Sequence, residues 1–159
     1  MKFKIRHNGK EYNCQWLDQT NFENLHRVLG VHGFIFNEKN EVCILKFKDK
    51  DHWSPVGGGP EKGETFEQTF RRETREEADL EIKDIRRLGA IKIIPQHDPE
   101  DMHHQVRFVA RVKKINKQTV DPAKGEIPKR KFIEPGEFNK YCQWQSNGQF
   151  QIGKALETL

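Results

Sequence analysis

Between Gly58 and Leu80 the chain reads GGPEKGETFEQTFRRETREEADL, a glycine turn followed by a helix dense in acid. Glu64, Glu73, Glu76 and Glu77 gather on this one loop–helix unit. At about 100° per residue, Glu73 and Glu77 fall within about 40° of each other, with Glu76 about 60° to the other side. Like charges so spaced weaken an isolated helix by roughly a few tenths of a kcal/mol per pair, and a bound divalent cation reverses that sign. The ordinary reading of such a run is a solvated acidic face. Here Phe66 and Phe70 project into nearly the same sector as Glu73 and Glu77, and two phenylalanines on one stripe mark a core-facing side. Carboxylates continuing a buried stripe are costly unless paired or metal-bound. Oxygen ligands of this kind suit Mg²⁺ or Mn²⁺.

The segment resembles the Nudix box, G-x5-E-x7-R-E-U-x-E-E-x-G-U, in which U is a bulky aliphatic residue. Gly58 and Glu64 match its first glycine and glutamate, Arg72-Glu73 its R-E pair, Glu76-Glu77 its E-E pair, and Leu80 its last position. Two positions depart. Thr74 stands where an aliphatic residue is usual, which weakens packing slightly. Asp79 replaces the second glycine, and Asp tolerates the left-handed backbone of a helix stop. The resemblance covers roughly residues 28–159 and implies an α/β fold: an α/β/α sandwich around a mixed, curved sheet.

The family hydrolyses a diphosphate linkage, commonly in a nucleoside diphosphate joined to another moiety. Metal ions bridging phosphate oxygens neutralise charge that would repel an attacking hydroxide and lower the pKa of bound water. By resemblance, Glu73, Glu76 and Glu77 are the metal ligands, with a backbone carbonyl of Gly58 or Gly59. Glu64 is implied as an outer ligand or a support for the loop. Arg72 is expected to orient a carboxylate, since it is i,i+4 to Glu76 and a guanidinium can fork onto a further glutamate. A surface ion pair is its ordinary alternative. Gly57, Gly58 and Gly59 let the backbone approach metal and phosphate closely. The implied cofactor is Mg²⁺ or Mn²⁺, and the implied partner a small nucleotide-type substrate such as a nucleoside triphosphate or an ADP-ribose-like compound.

The general base stays open between a glutamate of the motif helix and one from a downstream loop. Glu126 is the first downstream candidate and Glu100 the second, each weighed against a solvated loop carboxylate. His97, His103 and His104 match no common zinc spacing, and read as packing or substrate-edge residues. Trp53 and Phe36 could stack a base, although aromatics in such a fold mostly build core. Pro95, fifteen residues after Leu80, resembles a sub-pattern of ADP-ribose hydrolases on weak grounds. Two alternatives stand beside small-nucleotide hydrolysis. One is RNA 5′-end pyrophosphohydrolysis, favoured by the basic run 113–131. The other is a non-catalytic binding module, disfavoured because every motif glutamate is present.

The elements that must position these groups follow from the rest of the chain. Its 159 residues suit one domain. The net charge of +4 is too mild to argue nucleic-acid binding, but helps attract polyanions. Cys14, Cys43 and Cys142 show no CxxC spacing and read as three reduced thiols. No signal or spanning run is visible, so a cytoplasmic protein without a membrane partner is expected. A homodimer is left open. Lys2 to Arg6, the Asn8-Gly9 turn and Glu11 to Cys14 read as a β-hairpin within an N-terminal extension over 1–25 that the resemblance does not cover. Strands are expected over Arg27–Phe36, Glu41–Phe47, Ile91–Ile94 and His104–Val112. The motif helix spans Thr65–Ala78, with Thr65 and Gln68 forming a capping box. Residues 113–131 read as a long loop and Phe132-Ile133 as extended. Short helices are expected over Pro135–Tyr141 and Ile152–Leu159.

Overall fold

The first strands form where alternation and the Asn-Gly turn place them. In the computed structural model, which describes residues 1–18 and 20–159, β1 (Lys2–His7) and β2 (Lys10–Leu17) pair antiparallel around Asn8 and Gly9, both at positive φ. β2 then pairs with β6 (Leu80–Pro95), setting Cys14 opposite Ile93 and Trp16 opposite Ile91. The extension is therefore two strands of the main sheet, not a separate arm.

The remaining strands are β3 (Val28–Phe36), β4 (Val42–Lys46), β5 (Val56–Gly58), β7 (His103–Ile115) and β8 (Lys129–Ile133). Their order is β1-β2-β6-β7-β3-β4-β8, with β5 paired to β3. The sheet is mixed because β3 and β7 run parallel while the other pairs run antiparallel. The expected strand at Ile91–Ile94 is the end of a much longer one. β6 follows directly on the motif helix, and three breaks in its register with β7 hide its period from the sequence.

Helices cover both faces. α1 (Phe66–Ala78) packs Phe70 against Phe108 on one side. α2 (Phe138–Cys142) and α3 (Gln145–Thr158) cover the other, where Phe138, Ile152 and Ala155 join Phe34, Phe36 and Trp16. α3 starts seven residues before the expected closing helix, its first half being polar (QSNGQFQ). Phe36, offered as a stacking residue, is fully buried core. The three cysteines are buried and unpaired. No helix among the described residues is long and apolar enough to cross a membrane.

Candidate active site

α1 begins at a capping box: Thr65 Oγ1 accepts the Gln68 N–H at 3.2 Å and Gln68 Oε1 accepts the Thr65 N–H at 2.8 Å. Such a cap contributes about 1 kcal/mol and fixes the first residue of the helix. The helix ends at Asp79, which adopts the left-handed conformation with φ 50° and ψ 41°. Glycine is usual there, and aspartate does something glycine could not. Its carboxylate accepts the Thr119 N–H and the Thr119 hydroxyl, both at 2.8 Å, pinning the downstream loop to the helix end. Thr74, where an aliphatic residue was expected, is fully buried, and its hydroxyl donates to the Phe70 carbonyl at 2.7 Å.

Buried positions along α1 are Thr69, Phe70, Thr74, Glu77 and Ala78; of the stripe read from the sequence, Phe70 and Glu77 are buried and Phe66 and Glu73 half-buried. Glu77 is only 3% exposed. Burial raises its carboxyl pKa, against the opposing pull of Lys124 and the Gly57 N–H. Glu73 is raised too, again first by burial, with Arg72 opposing. The Glu73 carboxylate lies directly over the Gly58 Cα, where a Cβ would have no room. Gly57 is equally confined, between the Val31 carbonyl and His32, and its N–H donates to Glu77 Oε2 at 3.1 Å.

Arg72 gathers the other carboxylates. Its Nε and Nη2 fork onto Glu64 at 2.7 and 3.1 Å, and its Nη1 reaches Glu73 at 2.8 Å and Glu76 at 3.1 Å. Nη2 also donates to the Gly59 carbonyl at 3.0 Å. The arginine is thus the hub of the cluster rather than a surface ion pair. Glu64 faces this guanidinium, which holds its carboxyl down at about 2. It also accepts the Glu61 N–H and the Thr69 hydroxyl, as a residue bracing the loop would.

The downstream loop does reach this cluster, but through a residue that the sequence did not single out. Lys124 Nζ lies 2.8 Å from Glu77 Oε1 and 3.5 Å from the centre of the Phe47 ring. Glu126, the expected loop glutamate, instead accepts the Lys48 N–H at 3.1 Å. The buried loop carboxylate is Asp121, 1% exposed, whose Oδ1 accepts the Ala123 and Lys124 N–H groups. Glu100 sits in an exposed turn over Pro99–Asp101.

The histidines meet different partners. His97 packs edge-on to Tyr12, the His103 ring bonds the Asp101 carbonyl, and the His104 ring bonds the His26 carbonyl. Trp53 packs edge-on against Tyr141, and Pro95 ends β6 opposite Tyr12.

Two further residues lie on the opposite sheet face from α1. His32 of β3 neighbours Gly57 in register and Arg107 of β7 across the parallel pair. Burial first, then the Arg107 and Lys124 cations, push the His32 imidazole down to about 3. Arg107 is 4% exposed, and burial lowers its guanidinium to about 10. The signal for Arg107 was a charge inside a strand, HQVRFVARV, whose two faces must both be covered.

Hard oxygen donors, a glycine cradle that only a carboxylate fills, and a buried Glu77 that recruits a cation all fit a divalent metal. Among the described residues no three potential ligands already surround one point. Arg72 stands among Glu64, Glu73 and Glu76 instead, and Lys124 holds Glu77.

Relatives share this frame. The chain is 37% identical over 62 residues to a Nudix hydrolase of Deinococcus radiodurans, an alignment spanning 35% of this chain and 36% of that protein. The matched segment is thus little more than a third of that curated relative's length. Among solved structures, a mutant of the Bacillus subtilis pyrophosphohydrolase BsRppH superposes with a TM-score of 0.75 at 17% identity, covering 98% of this chain and 97% of that one. An ADP-ribose pyrophosphatase from Streptococcus suis gives 0.60 at 17% identity, covering 83% and 91%. The first match includes the N-terminal hairpin. The sequence model of the NUDIX domain matches residues 26–152, which hold β3 through most of α3 and the whole carboxylate cluster, and the chain belongs to the NUDIX domain family.

Proposed function

We propose that this protein hydrolyses a diphosphate linkage in a nucleotide or a nucleoside diphosphate derivative, using Mg²⁺ or Mn²⁺. The observation that carries the reading is the convergence of Glu64, Glu73 and Glu76 on Arg72 beside a desolvated Glu77, all against the Gly57–Gly59 turn. Glu73, Glu76 and Glu77 would hold the metal, with a carbonyl of Gly58 or Gly59. A metal so held supplies charge neutralisation on the phosphates and acidifies the attacking water.

The chain's own groups do the rest. Gly57 and Gly58 bring the backbone within reach of a phosphate, since neither carries a side chain to fend it off. Arg72 holds Glu64, Glu73 and Glu76 around one guanidinium, which limits the arrangements these carboxylates take before a metal enters. Glu73 is our candidate for accepting the proton of the attacking water, because it lies at the cradle itself. Glu126 serves that role only if its bond to Lys48 opens. Among the solved relatives are proteins named as a pyrophosphohydrolase and an ADP-ribose pyrophosphatase, which supports the reaction class.

The test is a panel of nucleoside triphosphates, ADP-ribose, nucleotide sugars, dinucleoside polyphosphates and 5′-triphosphorylated RNA, assayed with Mg²⁺ and with EDTA. Release of a phosphate or nucleotide product from at least one member, abolished by EDTA, is expected. No turnover on any member, or turnover indifferent to EDTA, sinks the reading.

A further inference from the structure

Two cations are bonded to the carboxylates of the motif, and they differ in the donors they have left. A guanidinium carries five N–H groups, and in Arg72 all five are engaged. Nε and one Nη2 hydrogen go to Glu64, Nη1 to Glu73 and Glu76, and the other Nη2 hydrogen to the Gly59 carbonyl. None is free for a ligand. An ammonium carries three donors. Among the described residues that of Lys124 makes one hydrogen bond, to Glu77 Oε1 at 2.8 Å. Two donors remain, on a side chain that is 43% exposed and so not sealed from water.

The ammonium is also held in place. It lies 3.5 Å from the centre of the Phe47 ring, a cation–π contact. The loop behind it is closed on itself. Asp121 Oδ1 accepts the Ala123 and Lys124 N–H groups, the Asp121 carbonyl accepts the Gly125 N–H at 2.8 Å, and the Asp121 N–H donates to the Glu126 carbonyl at 2.8 Å. Thr119 ties this loop to Asp79, and Glu126 ties it to Lys48. Lys124 therefore stays beside the cluster when its bond to Glu77 is broken. Its charge already acts beyond Glu77. It opposes the raised pKa of Glu73 and adds to the depression of His32, the side chains packed against Gly58 and Gly57.

Once Glu77 serves a metal, Lys124 loses its counter-ion and faces a like charge. The anion that then enters the site is the diphosphate of the substrate, and an ammonium bonds phosphate oxygens strongly. We propose that Lys124 is a substrate-binding residue, whose ammonium passes from Glu77 to an oxygen of the diphosphate. This rests on the proposed hydrolysis. The pair with Glu77 is then the resting position of a group that works on the substrate. The exchange has a signature in sign. Removing the ammonium relieves competition for Glu77 when Mg²⁺ is titrated alone, yet removes a donor when a diphosphate is titrated.

The experiment is calorimetric titration of wild type, Lys124→Met and Lys124→Arg. Mg²⁺ is titrated alone, and then methylenediphosphonate and α,β-methylene-ADP at saturating Mg²⁺; neither analogue can be hydrolysed at its bridge. Lys124→Met should bind the tighter analogue at least about tenfold more weakly than wild type, while binding Mg²⁺ no more weakly. Lys124→Arg should recover part of the loss. Lys48→Met neutralises an exposed neighbouring side chain and should change analogue affinity by less than about threefold, which separates a contact from a change in overall charge. Should Lys124→Met fail to fold, Lys124→Gln replaces it, since its amide can still donate to Glu77, and the same loss is expected. A smaller loss in the folded neutral variant overturns the proposal. So does an equal loss in Lys48→Met, or no binding of either analogue to wild type. A matching loss of Mg²⁺ affinity overturns it too, because the substitution then damages the whole site. None of these outcomes decides the hydrolysis reading, which fails only in the substrate panel.

Discussion

Lys124 Nζ lies 2.8 Å from Glu77 Oε1, so the most buried carboxylate of the motif already holds a cation from the chain itself. A metal that uses Glu77 has to displace this ammonium. Lys124→Met should therefore tighten Mg²⁺ binding by about twofold to fivefold, the worth of an ion pair half open to water. Titration calorimetry at low salt measures it. Unchanged or weaker binding in the variant would show that Lys124 does not compete.

Glu76→Gln and Glu77→Gln should each lower kcat by at least about a hundredfold, with near-normal unfolding midpoints. The amide keeps the shape of the side chain and removes the charge that a metal requires. Near-normal turnover in both variants would remove these residues from the metal site.

Metal binding must depend on pH. Burial raises the carboxyl pKa of both Glu73 and Glu77, so in the metal-free protein these groups favour the protonated form more than ordinary glutamates do. A cation competes with those protons. Mg²⁺ affinity, and the rise in Tm that saturating Mg²⁺ produces, should both grow as the pH climbs through the raised carboxylate range. Differential scanning at several pH values, with and without EDTA, checks it. A metal-induced shift in Tm that shrinks with rising pH would contradict the assignment.

The base can be located by two variants. Glu73→Gln should abolish or displace the acidic limb of the kcat profile, whereas Glu126→Gln should change kcat by less than about threefold and leave that limb in place. The reason is geometric: Glu73 lies over the Gly58 cradle and Glu126 is bonded to Lys48. Loss of the acidic limb in Glu126→Gln alone would mean that the loop turns its glutamate inward on substrate binding.

His32 links stability to pH on its own. Its pKa is depressed from 6.5 to about 3, chiefly by burial. Between those values the unfolded chain takes up a proton that the folded chain refuses. Stability associated with His32 is thus complete above pH 6.5 and falls as the pH is lowered towards 3. Glu64, depressed to about 2 by its Arg72 bond, adds a loss only below the ordinary glutamate pKa. Urea midpoints of wild type and His32→Asn should diverge less at pH 5 than at pH 7.5. A gap independent of pH would mean that His32 titrates normally.

Periodicity and spacing alone determined the motif helix, its cap and the stripe on which its carboxylates lie. They also determined the hairpin, because Asn-Gly turns and two-residue alternation are local signals. The left-handed residue at Asp79 was legible only through the resemblance, which puts a helix-stopping glycine at that position. Tertiary structure alone decided what those groups face. Lys124 and Glu77 are separated by 47 residues, and they meet because Asp79 ties down Thr119 and Asp121 orders the turn that follows. The length of β6 was masked by its bulges, which interrupt the alternation that a strand is read from. Arg107 looked like one more charge in a basic chain. Only coverage of the second sheet face by α2 and α3 removes it from water and surrounds it with the neutral acceptors of Gln105 and Gln151.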